Sequence, residues 1–91
     1  MQEQIRTFVL AALAEMNYDV DEVTGDTDLG PAGLDLESLA LAELSVQVED
    51  EFGVKFDLDE METTALMTLD QFTADVARRV AAGAAAAGSA A

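Results

Sequence analysis

The chain has 91 residues, 51% of them hydrophobic, and its 19 Asp and Glu residues against four Lys and Arg give a formal net charge of −15. A chain of this length forms one domain that buries only roughly 60 to 65% of its unfolded surface, which leaves no room for a deep enzymatic cleft. The negative charge opposes binding to nucleic acid and to anionic membranes, and the apolar content is too high for a disordered acidic tail. We therefore expect one folded domain with an anionic surface.

The sequence contains no Cys and no His. It therefore lacks disulfides, thiolate ligands and the commonest general base and metal ligand, so we expect no catalytic residue in the chain itself. The N-terminus does not resemble a signal peptide, and no apolar stretch approaches the roughly 20 residues of a membrane span. We expect a cytoplasmic monomer that binds neither nucleic acid nor membrane.

The first predicted helix runs from Gln2 to about Met16, because its apolar residues recur at three-and-four spacing. These residues are Ile5, Phe8, Val9, Ala12, Leu13 and Met16. The next segment is rich in Asp, Thr and Gly and is interrupted by Gly30-Pro31, which predicts a connection of roughly 18 to 20 residues. Connections of this length are usually functional or packed by their own side chains. The candidates for that packing are Tyr18, Val20, Val23, Leu29 and Leu34.

The Asp residues of this loop suggest a calcium site, which can be compared with the EF-hand pattern. With Asp19 at position 1, Val23 falls on a ligand position, Thr24 on the glycine position and Gly30 on the position of the bidentate Glu. Because the pattern fails at all three, we expect a solvated acidic loop and no metal site.

The second predicted helix, from Ser38 to about Phe52, has two apolar stripes on a wheel of 100° per residue. One is an ordinary core face of Leu41, Leu44, Val48 and Phe52. The other consists of Leu39, Ala42 and Val46 and is flanked by Glu43, Glu49 and Asp50. The second stripe is either an exposed patch with an acidic rim or a surface covered by a neighbouring loop. Acids in the last turn oppose the helix dipole, which suggests attraction to a basic partner or a solubility role.

Gly53 is a plausible helix end, and a short third helix is predicted from about Asp59 to Leu66, capped by Asp57 or Asp59. Thr68 and Gln71 have the spacing of a capping box that begins a last helix closed by Arg78 and Arg79. The fold class is therefore all-α: a small antiparallel four-helix bundle with three main helices, one short third helix and a long first loop. Residues 1–80 form the domain, and the Ala/Gly-rich residues 81–91 are expected to be a flexible tail or a frayed end of the last helix.

Ser38 lies at the start of the second helix, where serine is commonly an N-cap. A self-activated nucleophilic serine needs a neighbouring base, and a chain without His offers only weakly basic carboxylates and a few Lys and Arg. Ser38 is therefore either a cap or a substrate that another enzyme modifies.

The segment Leu34-Asp35-Leu36-Glu37-Ser38-Leu39, followed by Glu43-Leu44 and by Glu49-Asp50-Glu51-Phe52-Gly53-Val54, resembles the phosphopantetheine attachment region of acyl carrier proteins. The resemblance covers roughly residues 2 to 80 and includes a four-helix bundle with a long first loop. It implies that a phosphopantetheinyl transferase moves a 4'-phosphopantetheine arm from coenzyme A to Ser38. The thiol of the arm would then carry acyl intermediates as thioesters.

The resemblance also assigns roles to neighbouring residues. Glu37 and Leu39 would contact the attachment site, and the partner-facing residues would be Asp35, Leu39, Ala42, Glu43, Val46, Glu49 and Asp50. The implied partners are the transferase and an acyltransferase, ketosynthase or other enzyme with a basic surface. A bundle interior bounded by Leu41, Leu44, Ser45, Val48 and Leu66 would shelter acyl chains.

The chain departs from the family pattern at two places, because relatives most often have Asp immediately before the serine and Gly three residues before it. Glu37 and Asp35 occupy these positions, which puts partner choice in question. Ala40 resembles polyketide carriers more than fatty-acid carriers, which suggests a discrete carrier used in polyketide or fatty-acid-like biosynthesis. The alternatives are a peptidyl or aryl carrier, an unmodified acidic helical adaptor that binds a basic protein, and a small calcium sensor.

Overall fold

A computed structural model describes residues 2–57 and 59–90, with side chains described for residues 2–57 and 59–83. The described chain forms four helices without a strand: α1 (Gln2–Glu15), α2 (Ser38–Phe52), α3 (Glu60–Ala65) and α4 (Leu69–Ala90). Helix α1 packs against α2 and α4, and α3 packs against α2. The predicted small helical bundle with a long first loop is confirmed. No helix within the described ranges is long and apolar enough to cross a membrane.

The hydrophobic core draws on the three long helices and on the connections between them. Its buried members are Ile5, Val9, Ala12, Leu13, Leu29, Leu44, Val48, Val54, Leu69, Phe72 and Val76. Two aromatic pairs extend it: Phe8 meets Phe52 edge to face with ring centroids 5.5 Å apart, and Phe56 stacks on Phe72 at 6.0 Å. The predicted packing of the first loop is confirmed, because Leu29 is fully buried and Tyr18, Val20, Val23 and Leu34 pack against the core.

Local signals end or begin three of the helices, and those at Gly53 and at Thr68 with Gln71 were predicted. The chain after α2 turns at Gly53, whose φ of 69° is left-handed and whose N–H donates to the Glu49 carbonyl. The capping box of α4 is present, because the Gln71 N–H donates to the Thr68 hydroxyl at 3.2 Å and the Thr68 N–H donates to the Gln71 side chain at 2.9 Å. Helix α1 ends at Glu15, and Asn17 just beyond it adopts a φ of 70°. Asparagine tolerates the left-handed region better than most residues.

Two predicted boundaries differ from the structure. Asp59 occupies the N-cap position of α3 without a side-chain cap bond, and the Glu60 carboxylate instead accepts the Asp57 N–H at 2.8 Å. Helix α4 does not end near Arg79 but continues to Ala90, because alanine has the highest helix propensity. The predicted flexible tail, residues 81–91, lies mostly outside the described side chains and stays a prediction, as does the domain limit at residue 80.

Arg79 joins three segments of the bundle rather than only complementing a helix end. Its guanidinium donates to the Asp75 carboxylate at 2.8 Å, to the Glu60 carboxylate at 2.7 Å and to the Lys55 carbonyl at 2.7 Å. It also lies 4.6 Å from the centre of the Phe56 ring. The hydrogen bond from Arg79 lowers the pKa of Glu60, with a further contribution from the Asp57 N–H. One side chain therefore holds α3 and the preceding connection against α4.

Replacing Arg79 by Met should lower the free energy of unfolding by about 2 kcal/mol, because Asp75 is buried and loses a charged hydrogen-bond donor. Arg78 also pairs with Asp75 but its side chain is 74% exposed, so Arg78→Met should cost less than about 0.5 kcal/mol. Urea unfolding followed by circular dichroism measures both variants. Equal losses in the two variants would contradict the joining role of Arg79.

Candidate functional site

Ser38 is an exposed residue in the first turn of α2. Glu37 occupies the N-cap position with extended backbone angles, φ −72° and ψ 158°, and no side-chain cap bond is formed there. The Glu37 carbonyl accepts the first helical bond, from the Leu41 N–H at 2.9 Å. The structure therefore does not support the alternative role of Ser38 as the N-cap. Its hydroxyl lies at the positive end of the helix dipole, which favours a negatively charged group.

The segment before Ser38 is fixed by backbone hydrogen bonds to an earlier part of the loop. The N–H groups of residues 34, 35 and 36 donate to the carbonyls of Asp28, Gly30 and Leu29 at 2.8, 2.8 and 3.0 Å. Gly33 lies in the turn between the two parts, where a side chain would clash with the Asp28 backbone. The entry to α2 is therefore ordered by the loop rather than left free.

The same loop segment is in turn bonded to the connection between α3 and α4. The Leu29 N–H donates to the Met67 carbonyl at 3.0 Å, and the Leu69 N–H donates to the Thr27 carbonyl at 2.9 Å. This pairing forms an isolated antiparallel bridge between Asp28 and Thr68. An ion pair between Arg6 and Asp70 adds a link from α1 to the same region. The position of Ser38 thus depends on bonds that reach the start of α4.

Asp35 adopts a φ of 55°, in the left-handed region. This position lies three residues before Ser38, where acyl carrier proteins most often have Gly. Glycine enters the left-handed region without strain, and Asp does so better than most other residues. The turn therefore has a backbone conformation that Gly would adopt without strain, and the Asp35 side chain is exposed.

A cleft of about 210 Å³ lies between α2 and α3 and includes Ser38 in its wall. The remaining lining residues are Leu36, Leu41, Met61, Glu62 and Ala65. Apart from Ser38 and Glu62 the wall is apolar, so the cleft suits a hydrocarbon chain attached near Ser38.

The predicted interior surface is only partly correct. Leu41, Leu44, Ser45 and Val48 are buried on the inner side of α2, as expected. Leu66, predicted to bound the interior, is 81% exposed, because α3 ends at Ala65 and Leu66 lies at its C-cap. The residues that complete the cleft from α3 are Met61 and Ala65, which the sequence analysis did not single out.

The outer face of α2 carries most of the predicted partner-facing residues. Leu39 is 78% exposed and Val46 is 54% exposed, so no loop among the described residues covers this stripe. Glu43 and Asp50 are also exposed, and Ala42 is partly buried. Within the residues with described side chains, neither Glu43 nor Asp50 forms an ion pair. The structure brings these five residues together on one face and places Asp35 outside the helix.

Glu49 differs from the other acids of α2 because its carboxylate has a partner in the fold. It accepts the Phe56 backbone N–H at 2.7 Å and is partly buried. This bond gives a structural reason for an acid near the end of the helix, where the dipole alone disfavours it. Its predicted role in partner binding stays a prediction.

The carboxylates of the first loop do not converge as ligands. Across residues 2–57 and 59–83, no group of three or more Asp and Glu side chains is placed to hold a metal ion. Asp19 instead accepts the Asp21 backbone N–H at 3.0 Å, a local turn contact.

Comparison with known protein families gives a match to one family, the phosphopantetheine attachment site, over residues 7–76. The match spans most of the chain, from α1 to the buried part of α4. The chain belongs to this phosphopantetheine carrier family. Neither the curated proteins nor the solved structures contain a match.

Membership of this family implies a cofactor and a role. Domains of the family carry covalently attached 4'-phosphopantetheine, and they are acted on by other enzymes rather than being catalysts themselves. A phosphopantetheinyl transferase and biosynthetic enzymes are its general partners. The exposed hydroxyl of Ser38, the helix N-terminus beside it and the adjoining cleft fit such a group.

Two substitutions at Asp35 separate its backbone role from its charge. Asp35→Gly and Asp35→Ala both remove the carboxylate, but only Gly adopts the left-handed conformation without strain. We expect Asp35→Gly to be more stable than Asp35→Ala by about 1 kcal/mol in urea unfolding. Equal stability of the two variants would show that the positive φ does not strain this position.

Proposed function

We propose that Ser38 is the residue that receives the 4'-phosphopantetheine arm and that the chain is a discrete acyl carrier protein of polyketide or fatty-acid-like biosynthesis. The observation that carries the proposal is the position of Ser38: exposed, in the first turn of α2 and in the wall of an apolar cleft. When bound, the arm supplies the thiol that carries acyl groups as thioesters.

Ser38 fits the role of a substrate better than that of a catalyst. The Ser38 Oγ would form a phosphodiester bond to the phosphopantetheine phosphorus while the phosphoanhydride bond of coenzyme A breaks. Adenosine 3',5'-bisphosphate would leave, and the hydroxyl proton would pass to a base of the transferase. The chain has no His or Cys to take that proton. The dipole of the 15-residue helix α2 favours the added negative charge at this end.

The outer face of α2, defined as Leu39, Ala42, Glu43, Val46 and Asp50, is the proposed docking surface for partner enzymes. Its apolar residues give contact area, while its acids attract a basic surface and orient the encounter. The three arginines form their ion pairs with Asp70, Asp75 and Glu60, all outside this face. The negative charge of the face is therefore not neutralised by these arginines.

The choice among carrier types rests on charge and on the cleft. A net charge of −15 and an apolar cleft beside Ser38 favour acyl cargo delivered to enzymes with basic surfaces over a peptidyl or aryl carrier. Family membership favours a carrier over an unmodified acidic adaptor. A cytoplasmic location remains part of the proposal.

Incubation with coenzyme A, magnesium and a broad-specificity transferase should raise the intact mass of the wild-type protein by one phosphopantetheinyl group. Ser38→Ala should show no gain because the attacking hydroxyl is absent. Ser45→Ala, which removes a buried serine of the same helix, should still gain the group. A gain that survives Ser38→Ala rejects Ser38 as the attachment residue.

Replacing Glu43 and Asp50 by Lys should slow acyl loading by a partner enzyme at least tenfold at low salt, because electrostatic steering is lost. The helical circular dichroism should change little, since both side chains are exposed. The double variant Glu3→Lys and Glu15→Lys on α1 makes the same change in net charge at exposed positions. If both double variants slow loading equally, the effect belongs to net charge and not to the outer face of α2.

A further inference from the structure

Ser45 is a hydroxyl-bearing residue in the inner side of α2. It is only 4% exposed and shares that side with Leu41, Leu44 and Val48. Its Oγ donates to the thioether sulfur of Met61 on α3 at 3.6 Å. A polar group therefore lies in an otherwise apolar layer between the two helices.

Stability does not explain this hydroxyl. A thioether is a weak acceptor, and burial of a hydroxyl without a strong partner costs free energy. Buried hydroxyls usually donate to a strong acceptor such as a backbone carbonyl. Thr73, which is buried in α4, does so, because its hydroxyl donates to the Asp70 carbonyl at 3.0 Å. An apolar side chain in place of Ser45 would fill the layer without this cost.

Met61 connects Ser45 to the cleft beside Ser38. Its side chain lines the cleft, and its sulfur is the partner of the Ser45 hydroxyl. Methionine is unbranched and has three rotatable bonds, so its sulfur can move at low cost. Ser45 does not itself line the cleft, so a chain in the cleft would meet its hydroxyl only by displacing the Met61 sulfur.

We propose that Ser45 selects acyl chains that bear a carbonyl group over saturated chains of the same length. An oxo group that replaces the Met61 sulfur accepts a stronger hydrogen bond from Ser45, whereas a saturated chain leaves the buried hydroxyl unpaired. A site that bonds a polar group discriminates strongly against the analogue that lacks it. The inference rests on the proposed function, since the chain is delivered from Ser38.

The test compares wild-type protein carrying an octanoyl group with protein carrying a β-oxooctanoyl or a δ-oxooctanoyl group. Each is loaded from its acyl-coenzyme A by a broad-specificity transferase, checked by intact mass, and compared in thermal unfolding with the unacylated carrier. We expect at least one oxo chain to raise Tm about 4 °C more than octanoyl, the shift that one added hydrogen bond gives in a domain of this size.

The difference between oxo and saturated chains should vanish in Ser45→Val and in Ser45→Ala. Two variants are needed because Val adds volume to a packed layer, and Ala removes the hydroxyl without adding any. Thr73→Val removes a buried hydroxyl that lies outside the cleft wall and should keep the difference.

Equal Tm shifts for oxo and saturated chains in the wild type would overturn the proposal. A difference that persists in both Ser45 variants would also overturn it, because the hydroxyl would then not be the recognising group. Failure of the proposed function has a separate signature: the mass gain at Ser38 would not occur.

Discussion

The position of Ser38 depends on two sets of backbone hydrogen bonds. The first set joins residues 27–29 to residues 67–69, and the second joins residues 28–30 to residues 34–36. Because Leu29 is also fully buried, this loop is anchored in the core as well as through its backbone. The backbone hydrogen bonds and the buried Leu29 therefore connect the start of α4 to the start of α2, where the exposed Ser38 lies. The position of Ser38 is therefore set by contacts that reach across the fold and not by the second helix alone.

The few positive charges of the chain hold the bundle together rather than neutralise its surface. Arg6 pairs with Asp70, and Arg79 connects Asp75, Glu60 and the backbone of Lys55. These contacts bring α1, α3 and the α2–α3 connection to α4. Glu43 and Asp50 of the outer face of α2 take part in none of these ion pairs. The ion pairs among the described side chains and the outer face of α2 therefore use different acids.

The helices and the surface of α2 were predictable because they depend on short-range patterns. Three-and-four spacing identified α1 and the two stripes of α2, and the Thr68–Gln71 capping box located α4. Leu66 was misplaced because the six-residue helix α3 is too short for periodicity to indicate its buried side. The contacts of Arg79 with Glu60 and with the Lys55 carbonyl were not predictable, since they join residues 19 and 24 positions apart in the sequence.

Helix α2 contributes residues to the core, to the cleft and to an exposed face, because its side chains project at 100° intervals. Leu44 and Val48 enter the core, Leu41 faces the cleft beside Ser38, and Leu39 and Val46 remain on the outer face. The direction of the outer face is fixed once the core residues of α2 are packed. The cleft differs, because its far wall comes from the short helix α3, which has one buried residue, Thr64. Because so little of α3 is buried, its position depends on the bond between Glu60 and Arg79, which ties it to α4.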